Sequence, residues 1–153
     1  MKNQTESNTQ QIMIAANIWV TETLRLHKNN GRPLNEAETK IALEIGVANS
    51  EKIRVIETDN MPEPSVYQLS ALRMQNGLRY SHTAGLTLGY FVFIKKGSMS
   101  NHLLAHELRH VYQFEQIGSL EKMIQRYLQE IMQFGYQNAP LELDAIEASE
   151  SFR

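Results

Sequence analysis

The chain has no cysteine, which excludes disulfides and every thiolate-held metal or redox centre, and leaves any metal to His, Glu and Asp. Nor is there an excess of charge. Its 15 Lys and Arg stand against 17 Asp and Glu, a net of −2, with no long run of one sign, which argues against nucleic acid or acidic lipid as partners. Long hydrophobic runs are also missing. The longest, IMIAANIWV and GLTLGYFVFI, fall well short of the roughly 20 residues that span a bilayer, so no membrane segment is expected. The opening residues MKNQTESNTQQ lack the apolar stretch and cleavage site of a secretory signal, and the expected location is the cytoplasm. Aspartate is scarce, with 2 Asp beside 15 Glu, a bias toward helix because Glu is the better helix former.

What remains is enough for one domain. A domain of 153 residues buries roughly 70% of the surface of its unfolded chain and needs no staple, so residues 1–153 are read as a single domain with 1–9 as a flexible N-terminus. Dense apolar positions without Gly or Pro predict a helix over 10–28, closed by NNGRP. LNEAETKIALEIG predicts a second, capped by Asn35 and stopped at Gly46. EKIRVIETD alternates as a half-buried strand does, and residues 65–76 are left undecided. The clearest β signal lies between Gly85 and Gly97, read as one strand over 86–94. A helix is expected to start near Ser98, Ser100 or Asn101 and to end at Gly118. SLEKMIQRYLQEIMQF then repeats apolar residues at offsets of three and four, and LELDAIEASE reads as a closing helix with Pro140 in its first turn. The expected class is α+β: two helices, a small antiparallel or mixed sheet, then three helices.

The residues that carry chemistry lie in NHLLAHELRHVYQFEQIG, 101–118. Side chains four apart on a helix share a face, so His106 and His110 can aim their imidazoles at one point, with Glu107 about 100° around the axis beside them. Two neutral imidazoles at this spacing suit Zn²⁺. The adjacent carboxylate is placed to serve as general base, taking a proton from a water beside the metal and passing it to a leaving amine. Arg109, between the histidines, is expected to face solvent or pair with a nearby Glu. A catalytic zinc needs a third protein ligand. Gly and His at three and six residues past the second histidine would supply one, but Gln113 and Gln116 stand there. Between His110 and Glu142 lie 31 residues, enough to run through one further helix and return a carboxylate to the site, with Asp144 and Glu147 as fallback ligands. Tyr136, six residues before Glu142, is a candidate to stabilise an oxyanion. Tyr127 reads instead as core packing, His27 as exposed, and His82 and His102 are unassigned.

HELRH followed by NAPLELDAIEAS, with the lead-in AGLTLGYFVFI and LLAHELRHVYQ, resembles the gluzincin division of zinc metallopeptidases, thermolysin-like in the broad sense and more similar to its small, minimal bacterial members than to its larger ones. The resemblance covers roughly residues 84–149. It implies a zincin-like fold with an active-site helix, zinc held by His106, His110 and Glu142, and Glu107 as base. In larger members an Asp four residues after the third ligand supports the first histidine. Ile146 occupies that position here, which leaves Asp144 or a main-chain carbonyl for the role. The expected activity is hydrolysis of peptide bonds in a peptide or protein substrate, which could pair with an open edge of the 86–94 strand. A partner chain or second copy would complete the cleft. The competing expectation is a weak or inactive zincin-fold module for binding or assembly.

Overall fold

The computed structural model of the protein describes residues 4–64 and 84–153; the undecided segment at 65–76 and His82 lie outside them. Helix α1 spans Gln4–His27. It takes in residues 4–9, expected to be a flexible N-terminus, and nothing in that polar stretch breaks it, since it holds neither Gly nor Pro. Helix α2, Glu36–Ile45, starts with a capping box: the Asn35 side chain accepts from the Glu38 N–H while the Glu38 carboxylate accepts from the Asn35 N–H. Strand β1 is Arg54–Thr58. Strands β2, Gly85–Leu88, and β3, Phe91–Lys95, replace the single strand expected over 86–94. The break falls at Gly89, whose φ of 63° is one that residues with a Cβ avoid, and the chain turns there instead of running through.

The sheet is mixed, ordered β1-β3-β2, with β1 parallel and β2 antiparallel to the central β3. Alternation along its strands feeds two cores. Val55, Val92 and Ile94 face α2 and the following helix, α3 (Asn101–Ile117), and pack with Ile41, Ile45, Leu104 and Leu108. Ile56, Leu88 and Phe93 face the other way, onto Val20 of α1, where Leu120 and Ile124 of α4 (Leu120–Phe134) join them. Thus β1 buries apolar residues on both faces, more than the half-buried strand expected from its alternation. Helix α4 also lies along α1 through Leu128, Ala16 and Met132. The last helix, α5 (Pro140–Ser149), packs on α3. The result is α+β, five helices about a three-stranded sheet among the described residues. None of those helices is long and apolar enough to cross a membrane.

Candidate metal centre

Helix α3 is fixed at both ends. Ser100 Oγ accepts from the Leu103 N–H at 3.0 Å, and Gly118 closes the helix in the left-handed region at φ 97°, the conformation that the last turn requires and glycine adopts at no steric cost. With Leu104, Ala105, Leu108 and Val111 buried against the sheet, the rotation of the helix is set, and His106, Glu107 and His110 fall together on its flank. Glu107 and His110 are buried. The imidazoles meet edge to face with centroids 5.0 Å apart. Donor atoms of His106, Glu107 and His110 lie within 4.8 Å of one another, a group able to hold a metal ion.

Helix α5 brings a second carboxylate to the same place. Glu142 Oε2 stands 3.2 Å from His106 Nε2, and Glu142 Oε1 stands 3.2 Å from His110 Nε2. Tyr127 Oη donates to Glu142 Oε1 at 3.1 Å. Tyr127 was expected in the core; its ring does sit in the apolar stripe of α4, but its hydroxyl reaches across to this carboxylate. Burial pushes His110 down, yet the Glu142 carboxylate outweighs it and, with Glu107 and Gln113, holds the imidazole up at about 9. Burial pushes Glu142 up, and the two histidines more than reverse it, holding the carboxyl far below its usual range.

Gln113 was passed over in the sequence, and it orients the site. Its Oε1 lies 2.8 Å from His110 Nδ1, and its Nε2 donates to Leu141 O and Asp144 Oδ2, both at 2.8 Å. With the amide nitrogen spent on those acceptors, its carbonyl can only accept. Nδ1 therefore carries a proton, and Nε2 turns toward Glu142, to which it donates while the imidazole is protonated. Asp144 in turn accepts from Arg109 Nε at 2.8 Å and Nη2 at 3.2 Å. Arg109 thus pairs with an aspartate instead of solvent or a glutamate, and its Nη1 donates to Ile45 O. Of the two supports expected for His106, Asp144 instead reaches the second histidine through Gln113 and is held there by Arg109. Among the described residues no hydrogen bond reaches His106 Nδ1. Glu147 is exposed and lines a separate polar cleft with Glu44 and Arg109, and Ile146 is 43% exposed. His102 lies 3.5 Å from the buried Ser149 Oγ.

Strand β2 runs beside the cluster. Thr87 Oγ1 donates to Glu107 Oε2 at 2.7 Å and stands 3.1 Å from Glu107 O. β2 ends the sheet, and no strand pairs with its outer edge among the described residues. Between β2, α1 and α4 a cavity of about 100 Å³ opens onto Glu107, His110 and Glu142, walled by Trp19, Leu86, Met123, Leu128 and Tyr136. Tyr136, in a short 3-10 turn over Tyr136–Asn138, shares the cavity with the charged cluster. Compared with known protein families, curated proteins and solved structures, the chain gives no significant match.

Proposed function

We propose that the protein is a zinc-dependent metallopeptidase of zincin-like fold, with His106, His110 and Glu142 as ligands and Glu107 as general base. The observation that carries this reading is the return of Glu142 to both imidazoles. His106 Nε2 lies 3.2 Å from Glu142 Oε2 and His110 Nε2 3.2 Å from Glu142 Oε1, so a single carboxylate faces both imidazoles at close to the separation of about 3.3 Å between ligand atoms of a tetrahedral zinc. The donor set of two nitrogens and a carboxylate suits that ion and leaves one position open. Zinc bound there supplies a Lewis acid and makes an adjacent water acidic enough to lose its proton near neutral pH.

The chain's own residues supply the remainder. Gln113 locks the His110 tautomer so that Nε2 offers its lone pair. Glu107 stays outside the ligand set and takes the proton from the attacking water, then returns it to the leaving amine. Tyr136 faces the same cavity and donates to the carbonyl oxygen as it gains charge. An extended peptide adds to the outer edge of β2 by main-chain hydrogen bonds, and the cavity takes one of its apolar side chains.

A second reading, a binding or assembly module of the same fold, draws on the charge balance of the cluster. A protonated His110 against Glu142 satisfies the buried groups with no ion at all. Elemental analysis and a peptide library separate the two. Stoichiometric zinc, cleavage, and loss of at least about a hundredfold in turnover in Glu107→Gln with zinc retained is the expected result. Turnover unchanged by that substitution rejects the peptidase, and zinc without cleavage of any peptide favours the module.

A further inference from the structure

Glu107 is close enough to both imidazoles to join them as a ligand, and a carboxylate is a good donor to zinc, yet a general base must stay off the ion. Two residues of β2 bear on that choice. Residues 85 and 87 project toward α3, while Leu86 and Leu88 project onto the α1 side of the sheet. Thr87 has a single hydroxyl proton, and its shorter contact, 2.7 Å against 3.1 Å, is to Glu107 Oε2. That bond ties one carboxylate oxygen to the strand. Gly85 leaves the room in which the side chain lies: a Cβ there would stand 2.6 Å from Glu107 Oε1 and 2.8 Å from its Cγ and Cδ. Any other residue at 85 drives the carboxylate off the strand.

We propose that Thr87 and Gly85 are positioning residues that keep the Glu107 carboxylate beside the ion and not on it, an inference that rests on the metal reading above. Without the Thr87 hydroxyl, Oε2 has lost its partner in a buried site, and the positive ion is the strongest acceptor of its charge within reach. The carboxylate then adds to the ion without vacating the open position, raises its coordination number, and ceases to be a base.

Cobalt(II) in place of zinc reports this directly, because its visible d–d bands weaken and shift as the coordination number rises. The wild type is expected to give the intense spectrum of a four-coordinate site, and Thr87→Val and Gly85→Ala the weaker one of a site with an added ligand. Thr87→Ser should keep the wild-type spectrum, and adding Glu107→Gln to Thr87→Val should restore it. Turnover in Thr87→Val falls about ten- to a hundredfold with KM little changed. Wild-type spectra and turnover in both Thr87→Val and Gly85→Ala, each shown to be folded by circular dichroism, overturn the proposal. A wild type that takes up no cobalt defeats the metal reading itself, and the proposal with it.

Discussion

Gln113 is a short side chain with three partners, and each is specific to one atom. Its loss in Gln113→Ala leaves His110 Nδ1–H without an acceptor and releases Leu141 O and Asp144 Oδ2. Removing such an outer partner of a ligand histidine weakens metal binding by about 10- to 100-fold, to be measured by competition with a chromophoric chelator; unchanged affinity would show that the amide does not orient the ring. Its position three residues past His110 puts it on the same helix face, so its nearness was legible in the spacing. Its bond was not, because α5 fixes the direction of the amide. Tyr127 was hidden for the same reason: an apolar stripe tells where a ring packs and nothing of what its hydroxyl meets.

Glu38 is a second residue whose charge matters. The Arg32 guanidinium, at 2.7 and 3.0 Å, holds its carboxyl below the usual range; burial opposes this, and the Asn35 N–H adds to it. A carboxyl lowered by folding adds stability above its unfolded value, near 4.5, and that stability is lost as pH falls through the folded value. Glu38→Gln is therefore expected to cost about 1 kcal/mol at pH 7, allowing for the exposure of Arg32, and to flatten the loss of stability on acidification below about pH 4.5. Urea denaturation of both proteins at pH 7 and at pH 3 decides it; an equal acid loss in the two would remove Glu38 as a source.

Among the elements, α5 begins in an unusual way. Ala139 has no side chain to cap it, and the cap comes from α4, where Glu130 Oε1 accepts from the Leu141 N–H at 2.7 Å. Arg126 holds the other oxygen at 3.1 Å. Glu130→Ala is expected to lower stability by about 0.5–2 kcal/mol, as loss of a cap does, and to weaken metal binding as well, since the helix start it frees lies one residue before Glu142. Thermal melts with and without metal separate the two effects; a loss identical in both would show that Glu142 keeps its place unaided. The cap at Asn35, the start of α3 among Ser98, Ser100 and Asn101, and the stops at Gly46 and Gly118 were readable because they are local chemistry. The β2–β3 hairpin was not, because Gly89 interrupts a run whose residues all favour strand. The parallel pairing of β1 with β3 depends on packing that no window of sequence contains.

At the scale of the molecule, the sheet separates the α2–α3 layer from the α1–α4 layer, and α5 closes over α3. The two histidines and Glu107 were visible in five residues of sequence. Glu142 was reached through a resemblance and a chain length sufficient to return, since helical spacing fixes neighbours within a few turns and says nothing about how α4 and α5 fold back. A ligand that binds only the folded state stabilises it by about 2.7 kcal/mol at a hundred times its Kd. For a chain of this size that is roughly 5–10 °C in Tm. Zinc at such a concentration is expected to raise the Tm of the wild type by that amount and to leave His110→Ala unchanged, as scanning calorimetry would read; an equal rise in both places the metal elsewhere.

The three proposed donors, His106, His110 and Glu142, come from two helices that are joined in sequence only through α4 and its turns. A metal ion held by His110 and Glu142 would make that stretch a closed ring, and its departure would open the ring into a hairpin. On the proposed ligand set, a protein without cysteine would thereby gain a reversible clasp that reductants leave intact and chelators undo.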